Sequence, residues 1–221
     1  MARRDFLSRK FELYCSVLRM DMRTKSENKR QGLVAAATEV FVERGYEAAS
    51  MSEISARAGG SKATLYNYFP SKEALFLDVM RSLTAELSSA YVRLQPGGDL
   101  EEVLRTFGMA FLDNLFSPEL RALHAIVMGG GSRSEVGKLF YENGPKTGWT
   151  KLAHFMAAEM EAGRLREASP WTAAMHFHGL LQSECQAAMM TGLIDELAPA
   201  SERPGRVADA VRVFLAAYGV K

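Results

Sequence analysis

Apolar residues recur at intervals of three and four along nearly the whole chain. The first clear stripe consists of Leu33, Ala36, Ala37, Val40 and Phe41. Such spacing puts apolar side chains on one face of an α-helix, whereas a half-buried strand alternates at every second residue. We find no convincing alternating run of β-branched residues, so the sequence predicts an all-α fold.

Composition narrows the class of protein further. The chain has 221 residues, 48% hydrophobic and 24% charged, which is enough apolar material for one or two domains. No run reaches the roughly 18 uninterrupted apolar residues of a membrane span, so neither a signal peptide nor a membrane partner is expected. The two cysteines, Cys15 and Cys185, are far apart and build neither a disulfide framework nor a zinc site, which favours the cytoplasm.

The near-zero net charge hides an asymmetry between the two parts of the chain. Residues 1–94 carry 15 Lys and Arg against 11 Asp and Glu, whereas residues 95–221 carry 12 against 15. An anionic partner would therefore meet the N-terminal part.

Two short helices are predicted within this basic part. Ser50 and Glu53 have the spacing of a capping box at the start of a helix over 51–58. Gly59 and Gly60 then force a turn, and Ser61 can cap a third helix that extends through Phe69. Such short helices bury little surface alone, but longer amphipathic helices flank them, which indicates a helix-turn-helix.

The third helix has an outward face suited to a DNA groove. Leu65 and Phe69 share the inward face, whereas Ala63 and Asn67 point away from it with Tyr66 at its flank. A small side chain permits close approach, and hydroxyl, amide and ammonium groups can bond base edges or phosphates. Solvated helix faces carry the same residue types, so this reading depends on the motif around them.

These residues resemble a known family. GY at 45–46, SMSEI at 50–54 and SKATLYNYFPSKEALF at 61–76 are similar to the DNA-binding domain of TetR-family regulators. Gly60 departs from the family pattern, which usually has a valine-like residue beneath the turn. The resemblance implies that the following residues face DNA: Ser50, Ser52, Lys62, Ala63, Thr64, Tyr66, Asn67, Tyr68 and Lys72.

A long fourth helix is predicted from Ser71 to Leu94, ending at Pro96–Gly98. The predicted organisation is a basic extension (1–25), a helix-turn-helix domain (26–72), a connecting helix (73–95) and a C-terminal helical domain (96–221). The later helices are predicted at 99–116, 117–128, 133–143, 145–162, 170–191 and 203–218, with an interruption at Gly129–Gly131.

The C-terminal part has a looser resemblance, carried by LRALH at 120–124 and LFYENGP at 139–145, to the AefR/AcrR-type domain of some TetR-family repressors. The resemblance implies a homodimer built from the last two long helices and a small apolar ligand. The slim side of one helix would consist of Ala174, Gly179, Ser183 and Ala187, and the apolar stripe of the other of Val207, Val211, Phe214 and Tyr218.

Soft apolar and aromatic residues are common in the middle helices and are consistent either with a ligand cavity or with plain core. His124, His154 and Glu184 are either polar anchors inside such a cavity or ordinary surface or satisfied core residues. The ligand-binding candidates are Phe107, Phe111, His124, Met128, Trp149, Met156, Met160, Met175 and His178.

The sequence predicts no enzyme activity, because it contains no nucleophile motif, phosphate loop or metal triad. No cofactor is expected. His176 and His178 are two apart on a helix and point in different directions, so a shared metal ion is not expected. The first 22 residues are either a basic arm or a segment preceding the true start at Met20 or Met22.

The sequence thus predicts a dimeric, all-α transcription regulator, a repressor that binds a palindromic double-stranded DNA operator and is released by a small apolar ligand. In this hypothesis, the long helix transmits the ligand's effect on the spacing of the two reading helices. The alternative is a helical small-molecule carrier or enzyme whose head no longer reads DNA.

Overall fold

A computed structural model describes residues 26–129, 135–183, 185–191 and 193–220. The chain separates into two compact units, Met1–Val79 and Met80–Lys221. Both are built from α-helices, and the described residues form no strand beyond an isolated bridge between Leu165 and Gly219. The predicted all-α class is confirmed, whereas the predictions for residues 1–25 and for Gly130 and Gly131 lie outside the described residues.

The first unit contains α1 (26–48), α2 (Met51–Arg57), α3 (Lys62–Tyr68) and the beginning of α4 (Lys72–Leu83). These bounds agree with the predicted short helices to within a residue. Gly45 has a φ of 76°, the left-handed value expected of a C-capping glycine, although helical turns continue to residue 48.

Aromatic side chains from α1 and α4 form the core of this unit. The ring centroids of Phe41, Tyr46 and Phe76 lie 5.2 to 5.9 Å from one another. Arg30 of α1 forms an ion pair with the buried Asp78 of α4, and its guanidinium lies 5.4 Å from the ring centroid of Phe69. These contacts hold the two longer helices against the short ones.

The predicted fourth helix over 71–94 is interrupted. It forms α4 and α5 (Ala85–Val92), separated at Thr84, which has φ −110° and ψ 13°. The Thr84 hydroxyl donates a 2.8 Å hydrogen bond to the Met80 carbonyl, a back-bond typical of bent or ending helices. The division between the two units also falls within α4 rather than at the predicted Pro96–Gly98.

The second unit continues from α4 and α5 with a longer series of helices. They are α6 (Leu100–Leu115), α7 (Pro118–Gly129), α8 (Glu135–Asn143), α9 (Pro145–Glu161), α10 (Pro170–Gln182), α11 (Cys185–Thr191), α12 (Ile194–Leu197), a 3-10 turn (Ala200–Glu202) and α13 (Arg203–Tyr218). The predicted helix over 170–191 is thus two helices, and α12 was not predicted.

Helices α6, α10 and α13 pack closely around an aromatic core. The rings of Phe177 and Phe214 lie 5.0 Å apart. A Cβ atom added at Gly108 of α6 would lie 2.8 Å from the side chain of Val207, so glycine permits this close approach of α6 and α13.

The apolar stripe of α13 faces the core of its own protomer. Val207, Val211, Phe214 and Tyr218 are all buried within the single chain, and the Tyr218 hydroxyl lies 2.6 Å from Nδ1 of His176. The prediction that this stripe covers a partner subunit is therefore wrong. Ala174 is also buried, whereas Gly179, Ser183 and Ala187 remain exposed.

Candidate nucleic-acid interface and ligand cavity

The turn between α2 and α3 is held by caps at both helix starts. The Ser50 hydroxyl accepts a 3.2 Å hydrogen bond from the Glu53 amide, and the Ser61 hydroxyl accepts one of 3.1 Å from the Thr64 amide. Between them, Gly59 has a φ of 61°. The Gly60 amide donates a 2.9 Å bond to the Ser55 carbonyl, so the turn has a defined geometry.

Helix α3 shows the two faces that its sequence predicts. Leu65 is fully buried and Phe69 is 2% exposed, which anchors the helix to its own unit. Tyr66 is 48% exposed, and Ala63 and Asn67 are also exposed. The groups suited to a groove are therefore presented together on the outward face of this short helix.

The remaining predicted DNA-facing residues occupy several positions around this face. Ser50 and Ser52 are exposed at the start of α2. Thr64 is half-buried, and its hydroxyl lies 3.0 Å from that of Ser61. The half-buried Tyr68 has its hydroxyl 3.3 Å from that of Ser26 in α1.

The lysines at the two ends of this segment differ in their contacts. Lys62 is exposed, and its ammonium makes no hydrogen bond or ion pair with any residue that the structure describes. Lys72 is half-buried and donates to the carbonyls of Tyr46, Glu47 and Ala49 at 2.8, 3.2 and 3.3 Å. A DNA phosphate would thus compete for the Lys72 ammonium with three backbone carbonyls.

Arginines in the first unit also have acidic partners. Arg57 forms two 2.7 Å hydrogen bonds with Glu43, which lowers the pKa of that carboxyl. Arg44 lies 3.4 Å from Glu53. Lys62 therefore adds a positive charge next to the outward face of α3 that no acidic group of the described residues neutralises by an ion pair.

A cavity of about 170 Å³ lies within the second unit. Four of the predicted ligand-binding residues line it: Phe111, His124, Trp149 and His178. These side chains come from four helices, α6, α7, α9 and α10, and line one cavity only in the folded unit.

The other five candidates lie elsewhere. Met156 is fully buried and Phe107 is 3% exposed, stacked against Phe111 at 6.0 Å. Met128 is 78% exposed. Met160 and Met175 are half-buried and lie outside the lining of this cavity.

Burial shifts the pKa values of three titratable groups that line the cavity. It lowers the pKa of His178 to about 4 and also lowers the pKa of His124, so both imidazoles are neutral near pH 7. Nδ1 of His124 is buried without a partner among the described residues. Burial raises the pKa of the Tyr91 hydroxyl, which stays protonated.

Sequence reasoning missed several lining residues, chiefly Tyr91, Leu115, Leu120 and Phe140. Gly148 offers a signal in retrospect, since a Cβ atom there would lie 2.8 Å from the Tyr91 ring. A glycine inside an otherwise regular helix indicates close approach by a neighbouring group.

The described residues contain no group of three His, Cys, Asp or Glu side chains that could hold a metal ion. His176 bonds with Tyr218, whereas His178 lines the cavity, so the two histidines serve different environments. Among the described helices, none combines the length and apolar character that a bilayer crossing requires.

The chain combines a helix-turn-helix whose second helix is exposed with a helical unit that contains a largely apolar cavity. This combination is typical of a class of DNA-binding regulators. Residues 33–79 match the model of the TetR family of bacterial regulatory proteins. Residues 102–220 match the C-terminal domain of AefR-like transcriptional repressors. The chain belongs to the TetR family of transcriptional regulators, which are not enzymes.

Relatives agree with this assignment. The chain is 42% identical over 92 residues to the transcriptional activator FasR of Mycolicibacterium smegmatis, covering 41% of this chain and 42% of FasR. It is 35% identical over 124 residues to the repressor DhaR of Mycobacterium sp. strain GP1, covering 50% of this chain and 59% of DhaR. The chain thus spans about half the length of these relatives.

Solved structures match over most of the chain. The Flavonoid-responsive Regulator FrrA has a TM-score of 0.72 and 32% identity, over 88% of this chain and 99% of that one. A TetR family regulator from Pseudomonas syringae pv. tomato has a TM-score of 0.68 and 30% identity, over 88% and 98%.

Proposed function

We propose that the protein is a homodimeric repressor that binds a palindromic operator through α3 and is released when a small apolar ligand occupies the cavity of the second unit. The exposed face of α3 is the observation that carries the proposal. Such a protein acts in the cytoplasm, where it reaches the chromosome.

The DNA-binding part of the proposal rests on three features of α3. Tyr66 and Asn67 are exposed and offer hydrogen-bonding groups to base edges. Ala63 is small and exposed, so the helix backbone can approach the groove floor closely. Lys62 supplies a cation for a phosphate or a base and has no ion-pair partner within the described part of the chain.

A single helix of seven residues contacts few base pairs. Two copies related by a two-fold axis would read half-sites one helical turn apart, about 34 to 36 Å. Gly179, Ser183 and Ala187 give α10 and α11 an exposed face of small residues that suits close approach of a second copy. We assign the dimer interface to this face instead of the buried α13 stripe.

Ligand control is supported by the cavity and by the relatives. The aromatic and apolar side chains that line it, including Phe111 and Trp149, suit an apolar guest. FrrA is named as responsive to flavonoids, and the matching C-terminal domain model is that of a repressor.

Selection of duplexes from a random pool tests the proposal directly. We expect a palindromic sequence to be enriched, and Tyr66→Ala and Lys62→Ala to weaken binding to it by about 1 to 3 kcal/mol each. Compounds are then screened for release of that duplex. Enrichment of no sequence at moderate salt would favour the alternative, a helical small-molecule carrier whose head does not read DNA.

A further inference from the structure

The imidazole of His178 lies between two aromatic walls of the cavity. Its ring centroid is 5.1 Å from that of Phe111 and 5.2 Å from that of Trp149, both in edge-to-face geometry. Trp149 in turn contacts the exposed rings of Tyr141 and Trp171 at 6.0 and 6.5 Å. A continuous series of rings therefore connects the cavity to the protein surface.

His178 and His124 both line the cavity with unused hydrogen-bonding capacity, and His178 is the one that lies between the rings of Phe111 and Trp149. Neither of its ring nitrogens bonds to any residue that the structure describes. In the neutral state that burial enforces, an imidazole has one donor and one acceptor. A hydroxyl group matches this pair because it can donate to one nitrogen or accept from the other.

The size of the cavity limits the guest. Its volume is about 170 Å³. Apolar protein cavities of about 150 Å³ bind benzene. One aromatic ring with a small substituent therefore fits, whereas a fused or multi-ring compound requires the cavity to widen.

Desolvation disfavours any ionised guest, and the lining charges add a further penalty for a cation. No Asp or Glu is among its described lining residues, so a cation has no counter-charge there. Lys151 is the lysine of the lining and is exposed to solvent. Burying an unpaired charge costs far more than burying a neutral polar group that finds a hydrogen-bond partner.

We propose that the cavity binds an uncharged, single-ring aromatic compound bearing a hydroxyl group, and that His178 selects the hydroxyl. This assignment rests on the proposed function in that it names the ligand class of the same cavity. Phenol is a suitable probe because a phenolic hydroxyl ionises only near pH 10.

Binding is measured by calorimetry on the full-length protein without DNA. The probes are phenol, toluene, benzoate and benzylammonium, which differ in the presence of a hydroxyl and in charge. We expect saturable binding of phenol, about tenfold tighter than that of toluene, because one net hydrogen bond is worth roughly that factor. Benzoate and benzylammonium should bind at least tenfold more weakly than phenol.

Tryptophan emission gives an independent readout of the location. The chain has two tryptophans, and both belong to the ring series at the cavity. Emission should therefore change with the same dissociation constant as the calorimetric signal. A calorimetric signal without any change in emission would place the binding elsewhere and overturn the proposal.

Variants test the role of His178 against a purely structural one. His178→Phe keeps a planar ring but removes both nitrogens, so phenol should bind no tighter than toluene. His178→Asn retains a donor and an acceptor and should keep part of the preference for phenol. His154→Phe is the matched control, because His154 is exposed and lies outside this cavity.

The proposal is overturned if wild-type protein binds phenol and toluene equally, binds benzoate more tightly than phenol, or shows no phenol binding. Preference for phenol that survives in His178→Phe overturns the role of His178. These results are separate from DNA binding. A protein that binds its operator but not phenol would refute the ligand class alone, whereas one that binds phenol but no operator would refute the repressor function alone.

Discussion

The ammonium of Lys72 donates a 2.8 Å hydrogen bond to the carbonyl of Tyr46 and lies 4.4 Å from the centroid of the same residue's ring. It bonds two further carbonyls, that of Glu47 in the last turn of α1 and that of Ala49 just after it. A cation near the carbonyl end of a helix is favourable both as a hydrogen-bond donor and through the helix dipole. Lys72 thus ties the start of α4 to the end of α1.

We predict that Lys72→Ala lowers the free energy of unfolding by about 1 to 3 kcal/mol, because it leaves three carbonyls without this donor. It should also weaken binding to all DNA sequences alike and flatten the salt dependence. Lys62→Ala is the matched control, since Lys62 has no partner among the described residues and its loss should reduce DNA affinity without changing stability. Urea unfolding and gel shifts at several salt concentrations measure both effects, and equal stability of the two variants would contradict this role of Lys72.

The turn between α2 and α3 offers a second test. A Cβ atom at Gly60 would make ordinary contacts, 3.7 Å from Lys29 Nζ and 3.9 Å from the Ser55 carbonyl, and its φ is not left-handed. Gly60→Ala should therefore raise the free energy of unfolding by about 0.4 to 1 kcal/mol, because alanine lowers the conformational entropy of the unfolded chain. Gly59→Ala should lower it by about 1 to 2 kcal/mol, because φ at Gly59 is left-handed. Denaturant midpoints that move in the same direction for both variants would refute this assignment.

Gly148 lies against the ring of Tyr91. We predict that Gly148→Ala destabilises the protein by about 1 to 3 kcal/mol, because the new methyl group would lie 2.8 Å from two ring carbons of a buried tyrosine. Gly32→Ala is the control, since Gly32 is an exposed glycine of α1 with open space around it, and it should stabilise by up to about 1 kcal/mol. Thermal unfolding distinguishes the two, and a stabilising Gly148→Ala would show that the ring moves aside freely.

Stability should fall as the solution is acidified from pH 6.5 toward pH 4. The folded protein holds the pKa of His178 at about 4, below its ordinary value of 6.5, so between these values the unfolded chain binds a proton that the folded chain does not. His124 acts in the same direction. Hydrogen bonds from Arg57 and Ser71 lower the pKa values of Glu43 and Glu73. These carboxyls therefore reduce the stability further only below about pH 4.5, where the unfolded chain begins to bind protons at them.

His178→Phe should make the stability less dependent on pH between 6.5 and 4.5, whereas His154→Phe should retain the wild-type slope. Urea unfolding at several pH values provides the measurement. An unchanged slope in His178→Phe would mean that another group causes the acid sensitivity.

The dimer interface is testable through its small residues. Gly179→Glu should convert a dimer to monomers, because two-fold symmetry brings a second copy of the same charge to the interface. Ala35→Glu adds the same charge to an exposed position of α1 and should leave the dimer intact. Sedimentation equilibrium reports the mass, and a Gly179→Glu dimer would exclude this face.

Local features of the fold were predictable because they depend on neighbours in sequence. Helix spacing and serine caps placed α2 and α3 to within a residue, and the inward position of Leu65 followed from its register on α3. The interruption at Thr84 was missed because a single β-branched residue carries no strong helix-ending signal.

The sequence by itself determined which residues form α2 and α3, which face of each is apolar, and that α3 exposes Ala63, Tyr66 and Asn67 on its opposite face. Only the tertiary structure decided what covers each apolar face. The stripe that contains Val207 and Phe214 is buried in the core of the second unit. His178 and Trp149 line the same cavity, whereas Met156 does not. Helical periodicity is set by local backbone geometry, whereas the partner of an apolar face depends on contacts between segments far apart in the chain.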